Sequence, residues 1–204
     1  MSPRPYRLGQ RGPAAEQTRA RVVAAARELL TASGGLAGFT VDAVARQAGV
    51  ARMTVYYQFG SKAGLLEALF DDLAARGGME QLRGAFSRPD PLDALAEFVA
   101  VFCRFWASDR LIIRRLQGLA ALDPDFEPVS REEWRREGLR VILRRLADRG
   151  GRPSLDAFEE AVDVLHMLTS FQSYDNLAGA TRGPEQVAAL IQRLARATLG
   201  PTAR

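Results

Sequence analysis

Apolar side chains recur every three to four residues along most of this 204-residue chain, and glycine or proline interrupts the pattern at intervals. This spacing places the apolar groups on one face of an α-helix, and the alternation typical of strands does not occur. We therefore predict an all-α protein of about nine helices. The predicted helices span residues 16–33, 41–48, 52–59, 62–77, 91–107, 109–121, 125–149, 154–178 and 184–199.

The charge is unevenly distributed between the two ends of the chain. Residues 1–62 hold nine basic and three acidic side chains, a net charge of +6, whereas residues 63–204 carry a net charge of −2. A basic N-terminal segment followed by a near-neutral remainder indicates a module that binds a polyanion. The alternative is a basic surface that is simply solvated. Residues 1–15, rich in proline and glycine, predict a flexible basic arm.

Several classes of protein do not fit the composition. No uncharged apolar stretch reaches the roughly 18 residues of a membrane span, and the N-terminus lacks the apolar run of a signal peptide. We therefore expect a cytoplasmic protein with no membrane partner. The chain has one cysteine, Cys103, and one histidine, His166, so we expect no internal disulfide, no metal site and no cofactor.

Residues 40–59 have the pattern of two short helices around a sharp turn. The Thr40 hydroxyl can cap the helix predicted at 41–48, and Gly49 suits a turn that needs a positive φ. The helix predicted at 52–59 buries Val55 and Phe59 and leaves arginine, threonine and tyrosine on its other side. This arrangement predicts a helix-turn-helix.

The stretch from Phe39 to Leu66, FTVDAVARQAGVARMTVYYQFGSKAGLL, resembles the DNA-binding domain of the TetR (tetracycline repressor) family. The matching positions are Thr40, Val44, Ala45, Ala48, Gly49, Val50, Tyr56, Phe59, Ser61, Lys62, Leu65 and Leu66. The sequence departs from the family pattern at Ala51, which removes a helix cap, and at Gln58, Ala63 and Gly64.

The resemblance implies a fold and a function. It implies an N-terminal three-helix DNA-binding domain at residues 16–62 and a C-terminal helical domain at residues 63–204 for ligand binding and dimerisation. The protein would be a ligand-responsive transcriptional regulator, a repressor that a small apolar or amphipathic effector releases from double-stranded operator DNA. The helix at 62–77 would transmit movement between the two domains.

The same resemblance places the helix at 52–59 in the major groove. Arg52 can bridge a guanine or clamp a phosphate, and Thr54 can touch a base edge or a thymine methyl. The hydroxyl groups of Thr40, Tyr56 and Tyr57 and the ammonium group of Lys62 are predicted to contact phosphates. For the two tyrosines, packing between helices is the alternative. The arm either follows a minor groove or remains a disordered tail. The predicted DNA contacts are Thr40, Arg52, Met53, Thr54, Tyr56, Tyr57 and Lys62, with Arg4, Arg7 and Arg11 of the arm.

The aromatic residues around position 102 form either a core or the wall of a ligand cavity. Because helices four to seven surround such a cavity in the family, the predicted lining is Phe102, Phe105, Trp106, Trp134, Met79 and Phe86. His166 is the ionisable candidate for touching the ligand; the alternative is a partly solvated histidine at a helix edge. The arginine-rich run at 131–149 is predicted to be a solvated face with ion pairs along the helix.

Apolar residues cover about half the circumference of the helix predicted at 154–178, more than one core needs. With a matching stripe at 184–199, this predicts a homodimer through a four-helix bundle, as in the family; a core within one chain is the alternative. The predicted interface residues are Phe158, Val162, Leu165, Leu168, Leu190 and Leu194.

Two other functions are alternatives to the regulator. A small all-α enzyme is disfavoured because the chain has one histidine, one cysteine and one lysine, with no phosphate loop or nucleophile motif. A DNA-binding protein without an effector is disfavoured only by the large aromatic-rich body.

Overall fold

The computed structural model describes residues 11–32, 35–122, 129–150 and 154–200. These segments form eleven α-helices with two 3₁₀ turns and contain no strand, which confirms the all-α class. None of their helices is both long and apolar enough to cross a membrane. The helices are α1 (Arg11–Thr31), α2 (Val41–Ala48), α3 (Arg52–Phe59), α4 (Lys62–Arg76), α5 (Leu82–Ser87), α6 (Pro91–Ser108), α7 (Arg110–Leu122), α8 (Val129–Gly150), α9 (Leu155–Leu168), α10 (Phe171–Ala178) and α11 (Pro184–Leu199).

Helices α2 and α3 have the predicted bounds, whereas α1 and α5 differ from the prediction. Helix α1 begins at Arg11, inside the predicted flexible arm. Pro13 does not prevent this, because it lies in the first turn, where backbone N–H groups have no intrahelical partner. Helix α5 was not predicted, since the segment between Gly78 and Pro89 is too short to show a helical period.

The helix predicted at 154–178 is two helices, because the chain leaves the helical conformation at Ser170. The backbone of Ser170 is extended (φ −69°, ψ 159°), and its hydroxyl oxygen accepts a hydrogen bond from the N–H of Ser173 at 3.1 Å. The preceding Thr169 hydroxyl donates to the carbonyl of Leu165 at 2.8 Å. Such local hydroxyl bonds compete with the backbone ladder and restart the helix in a new direction.

The chain divides into two compact units, and two of the three divisions fall inside α4 and α7. The first unit comprises Met1–Asp72 and Arg114–Phe126, and the second comprises Leu73–Ile113 and Glu127–Arg204. In the first unit α1 packs against α2 and α3, and α2 packs against α3. Its small core includes Val22, Ala26, Leu30, Val44 and Val55, each at most 1% exposed.

The second unit is built around α6, which packs against α5, α8, α10 and α11. Asp90 begins this helix by accepting hydrogen bonds from the N–H groups of Leu92 (2.7 Å) and Asp93 (3.3 Å). A row of aromatic rings runs through the unit, with neighbouring centroids 4.8 to 6.1 Å apart. The row consists of Phe86, Phe98, Phe102, Trp106 and Phe171.

Cys103 lies on α6 with only 2% of its surface exposed. Burial raises the pKa of its thiol to about 12, so the reactive thiolate is scarce near neutral pH. We expect Cys103 of the native protein to resist iodoacetamide at pH 8 for hours and to react within minutes once urea unfolds the chain. Mass spectrometry of the quenched samples measures this difference. Equally fast alkylation of native and unfolded protein would contradict the buried position.

Candidate functional site

The turn between α2 and α3 is fixed by one cap and one glycine. Thr40 has extended backbone, and its Oγ1 accepts a hydrogen bond from the N–H of Ala43 at 3.1 Å. Gly49 ends α2 with a φ of +64°, a left-handed conformation that side chains disfavour. Its N–H donates to the carbonyl of Arg46 at 3.2 Å, and Val50 N–H donates to Ala45 at 3.0 Å. These bonds set the direction in which α3 leaves the turn.

Two departures from the family pattern, Ala51 and Gly64, lie near the two ends of α3. Ala51 precedes the helix without a side-chain cap, as the sequence predicted. At Gly64, a Cβ atom would lie 2.1 Å from the carbonyl oxygen of Phe59, so a side chain there would collide with the end of α3. Ser61 caps the start of α4, because its hydroxyl oxygen accepts a hydrogen bond from the N–H of Gly64 at 3.0 Å. Gly64 therefore permits the close approach of the two helices.

The side chains of α3 range from buried to largely exposed, and Phe59, which we predicted to be buried, is half-buried. Val55 is 1% exposed, whereas Met53 is 73% exposed and Tyr57 is 88% exposed. Met53 and Tyr57 are four residues apart and so lie on the same face of the helix. Two large, largely uncovered side chains on one short helix form a surface that suits a partner.

Arg52 is held in place by two neighbours. Its Nη1 donates to the Asp42 carboxylate on α2 at 2.9 Å, and its Nη2 donates to the Tyr56 hydroxyl at 3.3 Å. The guanidinium also lies 5.5 Å from the centre of the Tyr56 ring. The hydrogen bond to Tyr56 and the charge of Asp42 raise the pKa of Arg52, which stays protonated. Tyr56 thus orients the arginine at the exposed surface.

The remaining predicted DNA contacts differ in their exposure to solvent. Thr40 is exposed beside the start of α2, and Thr54 and Lys62 are half-buried. Arg4 and Arg7 lie outside the described residues, as does the side chain of Arg11.

Two arginines that we assigned no role stabilise the first unit. Arg19 donates to the carbonyl of Gln58 at 2.9 Å, and its guanidinium lies 4.5 Å from the centre of the Phe59 ring. Arg115 donates to the carbonyls of Leu30 and Ala32 at the end of α1. Both satisfy carbonyl groups at helix C-termini, which bind cations favourably. No sequence pattern indicated either contact, because each joins residues at least 39 positions apart.

In the second unit, the predicted ligand lining is only partly brought together. Phe102, Phe105 and Trp106 are buried, and Phe86 joins their aromatic row through Phe98. These residues come from α5 and α6, which pack against each other.

The other two members of the predicted lining are placed differently. Trp134 does not belong to the row, since it is 53% exposed. Its helix buries Arg135 and Leu139, and Trp134 points to the neighbouring, exposed face. Met79 is half-buried in a 3₁₀ turn that packs against α6.

The arginine-rich run on α8 is not simply a solvated face. Arg136 pairs with Asp163, and Arg140 pairs with Glu159 at 3.0 Å, so these arginines bridge to α9. Ion pairs along the helix do form, as between Arg144 and Glu137 at 3.0 Å, but Arg136 pairs across helices. Arg135 is buried, with 2% of its side chain exposed.

His166 is half-buried beside Arg135, and its Nε2 lies 3.0 Å from the Nη2 of that arginine. Burial lowers the pKa of His166, and the nearby Arg135 charge lowers it further. The imidazole is therefore neutral near pH 7.

The predicted dimer residues fall into two groups. Val162, Leu165 and Leu168 are at most 9% exposed within one chain, because α9 packs against α8 and α11. Those three belong to the core of the single chain. Phe158 and Leu190 are half-buried, and Leu194 is 41% exposed.

The geometry of α1 to α3, a glycine turn followed by a helix with an exposed polar and aromatic face, is that of a helix-turn-helix DNA-binding domain. Residues 22–69 match the family model described as bacterial regulatory proteins, tetR family. The match covers the helix-turn-helix, so this segment is similar to the DNA-binding domain of that family.

Solved structures share the fold of the chain. The TetR family transcriptional regulator PfmR from Thermus thermophilus is 22% identical, with a TM-score of 0.65 over 86% of this chain and 96% of that one. A TetR-like transcriptional regulator from Rhodococcus sp. RHA1 is 22% identical, with a TM-score of 0.64 over 98% and 100%. The multidrug binding protein EbrR, solved with imidazole, is 21% identical, with a TM-score of 0.55 over 86% and 93%. No curated protein matches the sequence.

Proposed function

We propose that this protein is a DNA-binding transcriptional regulator of the tetR family, a homodimeric repressor that binds operator DNA through α3 and is released by a small apolar or amphipathic effector. The exposed face of α3, with Met53 and Tyr57 uncovered beside a positioned Arg52, is the observation that carries the DNA-binding part. An α-helix fits the major groove of B-DNA, and such a face then contacts base edges and phosphates.

Each side chain of this face has a chemical role in the complex. Arg52, oriented by Tyr56, donates to guanine O6 and N7 or to a phosphate, and the DNA displaces Asp42 as its acceptor. Tyr57, Thr40 and Lys62 donate to phosphate oxygens and fix the position of α3 along the groove.

The test of this function begins with the fragments that the purified protein selects from its own genome. Anisotropy titrations then compare a selected fragment with a scrambled one of equal length at a fixed salt concentration, because nonspecific affinity depends on salt. Specific binding of the selected fragment supports the proposal. Equal affinity for both fragments would contradict it.

Met53 provides a prediction about sequence reading. Its thioether side chain has no strong hydrogen-bonding group, and the thymine methyl is the apolar group that the major groove offers. We expect replacement of one operator thymine by deoxyuridine to weaken wild-type binding about fourfold, since burial of one methyl is worth about 0.8 kcal/mol.

Met53→Ala should bind the thymine and deoxyuridine operators with equal affinity, and anisotropy measures all four combinations. Tyr57→Phe serves as the control, because it should retain the sensitivity to deoxyuridine. If Met53→Ala stays as sensitive as the wild type at every thymine, Met53 does not contact a methyl group.

The exposed apolar side chains of α9 and α11 support the dimer. Met167 is 58% exposed, and Leu194 is 41% exposed. Since the buried members of the predicted interface are occupied within one chain, these outer residues and the half-buried Phe158 and Leu190 are the surface left for a second copy. Two DNA-binding domains related by a twofold axis would favour a near-palindromic operator. Its half-sites would lie about one helical turn of DNA, or a multiple of it, apart.

We expect Leu194→Arg to weaken dimerisation at least about tenfold, because a charge buried between apolar helices is costly. Ala189→Arg is the matched control, since Ala189 is an exposed residue on another side of α11. Sedimentation or light scattering at micromolar concentration measures the mass of each. A monomeric wild type, or a Leu194→Arg protein as dimeric as the control, would rule out this interface.

The effector part of the proposal rests on the aromatic row of the second unit. The row supplies apolar and polarisable groups of the kind that bind small hydrophobic molecules. The fold is shared with a multidrug binding protein, which is consistent with such a role. An effector that lowers operator affinity must bind more weakly to the DNA-bound protein by the same factor, and parallel titrations of both species test this reciprocity.

A further inference from the structure

Arg135 is a buried cation in the apolar core of the second unit. It is 2% exposed, and Arg135 and Thr169 are the buried polar or charged residues among those the structure describes. Burying a charge is costly, and replacing a buried ion pair by apolar residues is often neutral or stabilising. Stability by itself therefore gives little reason for an arginine at this position.

The guanidinium is surrounded by groups from three helices, α6, α8 and α9, and by Thr169 at the end of α9. Nη1 donates to the carbonyl oxygen of His166 at 3.1 Å and to Thr169 Oγ1 at 3.4 Å, and Nη2 lies 3.0 Å from His166 Nε2. Nη2 also donates to the Glu132 carboxylate, the ion-pair partner of the arginine. The ring of Phe102 lies 5.9 Å from the guanidinium carbon, so one side of the site is aromatic.

The two charges of this pair differ in their access to water. The side chain of Arg135 is 2% exposed, whereas that of Glu132 is 46% exposed. Glu132 therefore reaches inward from the surface, and rotation of its side chain would place the carboxylate in solvent and uncover the guanidinium. Arginine presents a planar fork that matches a carboxylate, so another carboxylate can use the same donors.

We propose that the Arg135 guanidinium, with His166 beside it, forms a binding site for the carboxylate of a small amphipathic acid, and that Glu132, whose carboxylate also lies 3.2 Å from His166 Nε2, fills this site when the acid is absent. The apolar part of the acid lies against Phe102 and the aromatic row next to it. Thr169 connects the site to that row, because its carbonyl oxygen accepts a hydrogen bond from Trp106 Nε1 at 3.0 Å. The role of this acid as the effector rests on the proposed function; its binding does not.

The test compares Glu132→Gln with Glu133→Gln in calorimetric titrations with sodium octanoate in a chloride-free buffer. Glu133 is one residue away, pairs with Arg140 at 3.2 Å and makes no ion pair with Arg135. We expect Glu132→Gln to bind octanoate about tenfold more tightly than the wild type, because the competing carboxylate is gone. Glu133→Gln should bind like the wild type, and octanol should show no such gain.

A second variant keeps the test decisive if Glu132→Gln does not fold. Glu132→Asp keeps the charge but shortens the side chain by one methylene, so its carboxylate reaches Arg135 less well, and we expect a smaller gain in octanoate affinity. A purely structural role for the ion pair predicts no gain in either variant, and that result would overturn the proposal. If octanoate binds more tightly to the variants without changing operator affinity, the carboxylate site stands and the effector role fails.

Discussion

Replacing Phe98 by alanine should lower the free energy of unfolding by about 3–5 kcal/mol, the usual cost of removing a buried phenyl ring. Phe98 is fully buried on α6, and its ring lies 4.8 Å from that of Phe102 and 6.1 Å from that of Phe86. The substitution removes buried apolar area and leaves a cavity at the centre of the aromatic row. Because neighbouring rings are fixed by their helices, the cavity cannot close completely.

Trp134→Ala is the matched control, since it removes a larger aromatic side chain that is 53% exposed. We expect it to cost less than about 1 kcal/mol. Urea denaturation followed by circular dichroism measures both values. All variants are compared at one protein concentration, because the proposed dimerisation would make stability depend on concentration. If the two substitutions cost the same, α6 does not form the centre of the core.

Arg52→Ala should weaken binding to a selected operator about 10- to 100-fold, the range expected for a bidentate contact to a guanine. The variant should fold normally, since 55% of the Arg52 side chain is exposed. Anisotropy titration measures affinity, and thermal unfolding checks the fold. Operator affinity equal to the wild type in the Arg52→Ala, Lys62→Ala double variant would contradict the assignment of α3 as the recognition helix.

Arg52→Lys distinguishes the two contacts that Arg52 can make. Lysine keeps the charge but lacks the planar fork, so it can replace arginine at a phosphate far better than at a guanine. If Arg52 reads a guanine, Arg52→Lys should lose nearly as much affinity as Arg52→Ala, and only on operators that carry that base. If it binds a phosphate, Arg52→Lys should keep most of the wild-type affinity on every sequence.

The helix-turn-helix of this protein can be predicted from the sequence. Thr40, Gly49 and the apolar spacing around Val55 act through caps, a left-handed turn and contacts within about four residues. These short-range interactions depend on neighbours in the sequence, so α2 and α3 have the bounds that the sequence predicted. The exposure of Tyr57 followed from the same periodicity.

Which apolar faces are covered and which charges are buried depends on contacts between distant segments of the chain. Val162 and Leu165 are in the core of one chain because α8 and α11 cover them, and no pattern within α9 reveals that cover. Arg135 lies in a run of arginines that suggests a solvated helix, yet it is buried against residues 31 and 34 positions away. Helical spacing identifies the faces of a helix, but the partner of each face is set by packing between segments that are distant in sequence.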